Sequence, residues 1–395
     1  MKQKNVSPSL TLLALAISAF AIGSTEFISV GLLPMIVETF NVSLAQAGLT
    51  VSLYALGVTA GAPLLTILTG QINRKKLMIG IMITFIIGNI LAAVAINFPM
   101  LLAGRIISAL AHGIFMSVST VIAADVVAPS KRASAIAIMF TGLTVATVTG
   151  VPLGTFIGQQ MGWHFSFWFI VVVGVIGLIA DAWLIPKELP SPGHITSKGI
   201  LRILRSKELM FALLATAFGY GGTFAAYTYL SPLLENYVGY SANGVVVLLI
   251  VYGIMVAIGN TVGGKLANQN PLSALLKMFI GLLGALLFLF FTVQHFYLGT
   301  LGVLMMGIFA FMNVPGLQLY IVQLAEEKTP SDILLASALN ISAFNIGITL
   351  GASVGGQITS RVGLLYTPLG GAGMVFIAIL LIIQLQRWNK TNANL

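Results

Sequence analysis

Long apolar stretches alternate with short polar stretches along the whole chain. An α-helix needs about 20 apolar residues to cross a bilayer, and within lipid its backbone satisfies its own hydrogen bonds. The apolar stretches have this length, so we predict an all-α membrane protein. Twelve spanning segments are predicted, at residues 11–35, 45–69, 77–97, 100–124, 133–157, 165–186, 209–231, 243–266, 275–293, 297–322, 334–358 and 365–386.

The composition supports integration into a membrane. Of the 395 residues, 58% are hydrophobic and 7% are charged, whereas soluble domains carry about 25% charged residues. The N-terminal sequence MKQKNVSPSL is similar to the start of a signal peptide. The apolar run that follows continues to Met35, well beyond the roughly 7–15 residues of a signal-peptide core, so we expect it to remain as the first spanning helix. The chain has no cysteine, which excludes disulfides and thiol chemistry.

The basic residues predict the orientation of the helices. With the N-terminus in the cytoplasm, 17 of the 19 lysines and arginines fall in cytoplasmic loops or tails, and Arg105 and Arg361 are the exceptions. The positive-inside rule therefore predicts cytoplasmic termini and a multi-pass protein of the cell's inner membrane. The net charge of +9 then reflects loops that face anionic lipid headgroups, and no nucleic-acid partner is expected.

The chain is predicted to consist of two similar halves. The longest polar segment, residues 187–208, is read as a cytoplasmic linker between six-helix bundles at residues 1–186 and 209–395. PMIVETFNVS, which begins at Pro34, aligns with PLLENYVGYS, which begins at Pro232, and the same offset of 198 places Tyr54 opposite Tyr252. Such matches favour a parallel duplication of six helices.

Small residues recur at intervals of four in several segments. This spacing lets helix backbones approach closely in lipid. It favours either a seam between the two halves or ordinary packing within one bundle. Pro152 removes a backbone hydrogen bond and predicts a bend in the fifth segment. The stripes comprise Gly57 and Gly61; Gly142, Ala146, Gly150, Gly154 and Gly158; Gly259 and Gly263; and Gly347, Gly351 and Gly355.

Three motifs in the first half resemble those of the major facilitator superfamily, in its twelve-helix drug:proton antiporter subfamily. GVPLGTFIGQQMGW, from Gly150 to Trp163, is similar to the antiporter motif of the fifth helix. STEFISVGLLP is similar to the first helix of that subfamily, and GRIISALAHGIF resembles its fourth helix, with Arg105 as the intramembrane arginine. The resemblance covers the whole chain and is nearest to sugar-efflux and arabinose-efflux-like permeases. It implies the major facilitator fold and assigns the antiporter motif to Gly150, Pro152, Gly154 and Gly158.

The loop between the second and third helices departs from the family pattern. The family has roughly G-x-L-x-D-R-x-G-R-K, whereas this chain has TGQINRKKL. The basic end is kept as Arg74, Lys75 and Lys76, but Gly70 stands where an acidic residue is usual. Asn73 replaces the last glycine and is expected to adopt a left-handed helix end. The sequence therefore leaves open which charge contacts this loop motif makes.

Glu26 is predicted to be the proton-coupling residue. It lies in the apolar part of the first segment, at a depth between those of Arg105 and His112, which share a face of the fourth segment. Ionisable residues inside a membrane usually face a cavity or a partner. We expect Glu26 to bind and release protons, with Arg105 or His112 adjusting its affinity. The alternative is a static pair that joins the first and fourth helices.

The remaining acidic residues are interpreted more simply. Glu38 and Glu235 are expected to face water at outer helix ends. Asp125 is expected to cap its helix or to pair with the loop residues Lys131 and Arg132. Asp181 is expected to be interfacial.

The second half lacks a deep acidic residue and offers aromatic and amide side chains instead. Such a cavity suits neutral or amphipathic solutes. Each side chain has an alternative role in an interhelical hydrogen bond. The cavity candidates are Tyr54, Tyr220, Tyr227, Tyr229, Asn313, Gln318, Asn340 and Asn345.

These observations favour a transporter that exports small drug-, sugar- or nucleoside-like molecules in exchange for protons by alternating access. The alternative is a proton-coupled uptake symporter for sugars or nucleosides. A membrane enzyme or a channel is less favoured, because the chain has no HExxH motif, no P-loop and no cluster of metal ligands or nucleophiles. We expect no cofactor and no metal, the proton gradient as the energy source, and a monomer in contact with substrate, protons and membrane lipids.

Overall fold

The structure is a computed structural model that describes residues 7–69, 72–128, 132–187, 189, 197–267 and 270–393. Within these ranges the regular secondary structure is entirely helical. Twelve helical segments in these ranges are long and apolar enough to cross a membrane, and some of them join two consecutive helices. The prediction of an all-α, twelve-helix membrane protein is therefore confirmed.

The helices begin and end close to the predicted bounds. In chain order they are α1 (Pro8–Phe40), α2 (Leu44–Ala47), α3 (Leu49–Thr69), α4 (Arg74–Ala93), α5 (Phe98–Asp125), α6 (Arg132–Val145), α7 (Val151–Met161), α8 (Trp163–Leu184), α9 (Ser197–Arg205), α10 (Lys207–Tyr227), α11 (Leu230–Leu233), α12 (Ala242–Ala267), α13 (Pro271–Thr292), α14 (Phe296–Met312), α15 (Val314–Lys328), α16 (Ile333–Arg361) and α17 (Thr367–Ala393).

The chain forms two compact units. The first contains α1, most of α3 and α4 to α8, and in it α1 packs against α5, α6, α7 and α8. The second contains α9 to α17, with α10 packed against α16 and α17. Residues 41–52 belong to the second unit, in which α2 packs against α16. Of the predicted linker 187–208, residues 188 and 190–196 lie outside the described residues.

Two predicted helices are interrupted, and one is longer than predicted. A π-helical turn, Ala146–Gly150, separates α6 from α7, and the Val151 N–H donates to the Ala146 carbonyl across it. Asn313 separates α14 from α15. The first helix extends beyond its predicted segment, residues 11–35, because α1 continues through Pro34 to Phe40. Lipid-embedded helices tolerate an internal proline when neighbouring groups satisfy the backbone.

The small residues serve packing inside each unit. A Cβ atom on Gly61 would collide with Leu110 of α5, and one on Gly142 would collide with the Ala16 carbonyl of α1. In the second unit, a Cβ on Gly351 would collide with the Gly221 carbonyl of α10. Glycine permits these approaches because it has no side chain. These contacts of the glycines are those of close packing within one bundle.

Candidate functional site

Arg105 binds the main chain of α1. One guanidinium nitrogen donates to the Thr25 carbonyl at 2.5 Å, and the other terminal nitrogen donates to the Glu26 carbonyl at 3.2 Å. The side chain is 1% exposed and its Cζ lies 4.1 Å from the centre of the Tyr54 ring. A guanidinium combines planar donors with a face that stacks on aromatic rings. Arg105 therefore joins α5 to α1 and α3.

Tyr54 extends this contact to His112. The Tyr54 hydroxyl lies 3.1 Å from His112 Nδ1, and the histidine tautomer decides which of the two donates. His112 lies two turns from Arg105 on α5, so both side chains reach the same tyrosine. Both Tyr54 and His112 are buried. The structure thus places Tyr54, a predicted cavity residue, inside the predicted proton-coupling group.

Glu26 is buried next to this group but does not form the predicted static pair. Its carboxylate makes no ion pair within the part of the chain that the structure describes. Arg105 acts on it electrostatically while its hydrogen bonds go to the α1 main chain. Glu26 is 8% exposed, whereas the neighbouring Thr25 is fully buried. The carboxylate therefore keeps slight access to solvent beside a cation that is held in place by other contacts.

Hydroxyl groups surround Glu26 on α1. The Thr25 hydroxyl donates to Asn89 Oδ1 at 3.2 Å, which joins α1 to α4. Within the part of the chain that the structure describes, the hydroxyls of Ser24 and Ser29 are buried without a hydrogen-bond partner. Asn89 was not among the predicted site residues, although its amide side chain within an apolar segment could have identified it.

The antiporter motif of the fifth segment packs against the same helix. A Cβ atom on Gly150 would collide with the Ser24 hydroxyl, and one on Gly154 with Ile28. Gly158 faces Leu32. Pro152 lies in the first turn of α7, directly after the π-helical turn. The motif therefore follows α1 along the stretch that carries Glu26.

The loop motif keeps a charge contact through a different acidic residue. Arg74 pairs with Asp125 of α5. The expected pairing of Asp125 with Lys131 and Arg132 concerns side chains that lie outside the described residues. Gly70 also lies outside them. Arg74 sits at the start of α4, which brings it to the end of α5.

Asn73 is a helix N-cap, so the expected left-handed helix end is wrong. Its φ is −52°, and its side chain accepts hydrogen bonds from the main-chain nitrogens of Lys75 and Lys76. An asparagine before a helix satisfies such N–H groups. The Lys75 ammonium donates to the Ile185 carbonyl at 2.5 Å, and Lys76 is exposed.

Asp181 is buried rather than interfacial. Its side chain is fully buried in α8, and the Ser18 hydroxyl of α1 donates to Oδ2 at 2.8 Å. The prediction failed because distance from the helix end was taken as exposure. At this point α8 packs against α1 and α4, which cover the carboxylate.

In the second unit, three predicted cavity residues make interhelical hydrogen bonds. Asn340 donates to Gln318 Oε1 at 2.9 Å and accepts from the Thr216 hydroxyl at 2.7 Å. Gln318 donates to Ser337 at 2.5 Å. The Tyr229 hydroxyl donates to the Ala352 carbonyl at 2.9 Å. For Gln318, Asn340 and Tyr229, the alternative interpretation as interhelical contacts describes what the structure shows.

The other candidates belong to an aromatic group. Tyr220 packs against three phenylalanines at centroid distances of 5.0 to 5.3 Å. Tyr227 stacks on Tyr252 at 5.1 Å. Buried oxygens of Tyr252, Asn313 and Asn345 have no hydrogen-bond partner among the described residues. This unit therefore combines buried aromatic rings with polar atoms that lack a described partner. Tyr252 was named only as the repeat counterpart of Tyr54.

Residues 15–331 match the family model of the Major Facilitator Superfamily. The chain belongs to this superfamily. It is 54% identical over 381 residues to the Uncharacterized MFS-type transporter YtbD of Bacillus subtilis (strain 168), covering 96% of each chain. It is 37% identical over 377 residues to the inner membrane transport protein YdhP of Escherichia coli (strain K12), covering 95% of this chain and 96% of that protein.

Two solved structures share the fold. The human organic anion transporter MFSD10 superposes with a TM-score of 0.72 at 17% identity, over 96% of this chain and all of that one. A bacterial homologue of the human lysosomal transporter Spinster, in an inward-facing and unoccupied conformation, gives 0.73 at 18% identity, over 97% and 98% of the two chains. With the family and the relatives, the fold establishes a multi-pass membrane transporter rather than an enzyme.

Proposed function

We propose that this transporter is a proton-coupled antiporter of the inner membrane that exports small amphipathic molecules. The observation that carries the proposal is Glu26, a buried carboxylate without an ion pair among the described residues. An ionisable residue inside a membrane is costly and is by default a functional site. Buried charges that serve only structure are paired, and Glu26 has no ion pair among the described residues.

The surroundings of Glu26 suit a group that changes charge. Arg105 is held by two carbonyl oxygens and the Tyr54 ring, so it stays in place whether Glu26 is neutral or ionised. Proton release would create a negative charge beside this fixed cation. Because the same arginine binds α1 and contacts α3 through Tyr54, a change in its electrostatic balance acts on three helices at once.

The cargo is proposed to be amphipathic because both units offer apolar surface. In the first unit a groove of about 770 Å³ lies between α1 and α6, at the end of α1 that is predicted to be cytoplasmic. Its lining is almost entirely apolar, from Leu10 to Phe20 and from Ile138 to Val145. The second unit adds tyrosines and unused amide oxygens. An apolar body with a few hydrogen-bond donors matches these surfaces.

The direction of proton movement tests this proposal. The purified protein is placed in liposomes that contain a pH-sensitive dye, and nucleosides, sugars and lipophilic drug-like molecules are added outside one at a time. Under antiport, a transported molecule that enters drives protons out, so the lumen becomes more alkaline whichever way the protein is inserted. Protein-free liposomes control for passive permeation.

Two outcomes contradict the proposal. Acidification of the lumen by a transported molecule means symport, which is the uptake alternative. Transport of a radiolabelled molecule without any change in lumen pH means that protons are not coupled.

A further inference from the structure

Asp181 is a second buried carboxyl that the proposed mechanism does not use. It lies in α8, one turn before the helix ends at Leu184, and it is fully buried. The Ser18 hydroxyl donates to Oδ2 at 2.8 Å, while Oδ1 is buried without a hydrogen-bond partner among the described residues. A carboxylate has about four acceptor sites. A single hydroxyl leaves most of them unsatisfied.

A glycine allows the contact between Ser18 and Asp181. Gly177 lies one turn before Asp181 on the same face of α8. A Cβ atom at Gly177 would come within 2.6 Å of the Ser18 hydroxyl oxygen. Without a side chain there, α1 approaches α8 closely enough for the hydroxyl to reach the carboxyl. The pair is therefore a product of local packing at this crossing.

The charged group that faces Asp181 is Lys75 at the start of α4. Its ammonium donates to the Ile185 carbonyl at 2.5 Å and makes no ion pair with Asp181 within the described residues. Lys187 faces Lys75 in turn. From α1 the facing group is the Ser18 hydroxyl, and Glu26 lies eight residues farther along, about 12 Å on the helix axis. No residue of α7 is ionisable.

We infer that Asp181 and Ser18 form a second proton-binding site in the first unit, and that Lys75 replaces the proton when it leaves. Burying an ionised carboxylate without a partner is so costly that proteins pair or neutralise it. In the arrangement seen here the carboxyl holds its proton and Lys75 rests on the Ile185 carbonyl. When the proton is released to water, the carboxylate attracts the ammonium, which moves from the carbonyl to Asp181.

This site extends the proposed proton coupling, on which its role in transport rests. α1 carries Glu26 and also contacts Asp181, so one helix connects both carboxyls. Lys75 belongs to the loop motif before α4, so proton release at Asp181 would change a contact at the end of the unit that is predicted to be cytoplasmic.

Infrared difference spectroscopy tests the site without any substrate. Spectra of the protein in lipid are compared between acidic and alkaline media, where each protonated carboxyl gives its own carbonyl band. The chain has only ten acidic residues, so single variants can assign the bands. We expect Asp181→Asn to remove one band and Ser18→Ala to shift the same band, because the hydroxyl bonds that carboxyl. Asp332→Asn is the control, since Asp332 is paired with Arg202.

The spectra of Asp181→Asn and Ser18→Ala can each contradict the proposed site. If Asp181→Asn leaves every carboxyl band of the difference spectrum unchanged, Asp181 neither gains nor loses a proton between the two media, and the inference is wrong. If Asp181→Asn does not fold, Ser18→Ala decides, and an unshifted spectrum refutes the site. Glu26→Gln in the same experiment separates the two proposals, because the band that this variant removes belongs to Glu26 alone. If proton-coupled transport fails while the Asp181 band remains, only the proposed function is contradicted.

Discussion

At the scale of single residues, Arg105 donates hydrogen bonds to two carbonyl oxygens of α1. Hydrogen bonds from a charged donor contribute about 1.5–3 kcal/mol each. Stacking on Tyr54 adds roughly 0.5–2 kcal/mol. These contacts hold the cation beside Glu26 in either charge state, which a direct ion pair would not do.

Arg105→Lys should therefore damage both stability and transport. An ammonium cannot reproduce the two-pronged contact with Thr25 and Glu26, so at least one charged hydrogen bond is lost. We expect a lower melting temperature in detergent. We also expect a roughly tenfold or greater fall in proton-coupled transport, because one charged hydrogen bond contributes about 1.5–3 kcal/mol and about 1.4 kcal/mol corresponds to a factor of ten. Arg361→Lys is the matched control, because Arg361 is exposed at the end of α16. If Arg105→Lys and Arg361→Lys have the same melting temperature and the same transport rate, the guanidinium of Arg105 has no specific role.

The spacing of Arg105 and His112 was enough to place both on one face of α5, and their depth placed them near Glu26. The sequence did not show that Tyr54 lies between them, nor that the arginine binds carbonyls. That choice depends on how closely α1 and α5 approach. The repeat does explain the chemical difference between the halves. At the offset of 198, Val303 and Ala310 stand opposite Arg105 and His112, and the Tyr252 hydroxyl has no hydrogen-bond partner among the residues that the structure describes.

At the scale of secondary-structure elements, the linker helix α9 has three distinct faces. Gly199 and Ile203 are buried, while Leu201 and Leu204 are 49% and 40% exposed on another face. A third face is basic. A helix of this kind, at the end of a spanning helix, matches the boundary between lipid and cytoplasm. Arg202 fixes it to the 3₁₀ turn before α16 through two hydrogen bonds of 2.8 Å to Asp332.

This contact should depend on pH in a defined direction. Hydrogen bonds from Arg202 hold the pKa of Asp332 below its ordinary value. The contact therefore stabilises docking at neutral pH and is lost only as the pH falls through that lowered pKa. The chain has no cysteine, so a spin label on Leu201→Cys reports α9 alone. We expect a restricted label at neutral pH, and a mobile one in strong acid or after Asp332→Asn.

Arg205→Gln is the control for α9, because Arg205 is exposed on the basic face. It should leave the label restricted. A label that stays restricted after Asp332→Asn would mean that apolar packing of Ile203 alone holds the helix.

Lengths and positions of the helices followed from apolar length, but their interruptions did not. Pro152 predicted a bend, and the structure places a π-helical turn in the residues before it. The break at Asn313 has a comparable cause, since Pro315 lies in the first turn of α15. Pro34 shows why proline alone is insufficient: α1 continues through it. Whether a proline ends a helix depends on neighbours that satisfy the freed carbonyl.

At the scale of the whole molecule, the two units differ in chemistry. The first holds Glu26, Arg105, His112 and Asp181, whereas the second presents aromatic rings and amides in the region of its predicted cavity residues. Twelve helices could be predicted because lipid imposes length and apolarity on each. The helices that pack against the glycine stripes could not be predicted, because a stripe of small residues allows any helix backbone to approach closely. The burial of Asp181 was missed because its distance from the helix end was taken as exposure.

The most direct measurement of the central claim separates substrate exchange from proton-driven accumulation. Once a transported molecule is found, Glu26→Gln and the control Glu38→Gln, which changes an exposed residue of α1, are compared in liposomes. Without a pH gradient, labelled substrate exchanges against unlabelled substrate; with one, it accumulates. We predict that Glu26→Gln keeps exchange and loses accumulation, while Glu38→Gln keeps both. Accumulation by Glu26→Gln to the level of the parent would contradict the account.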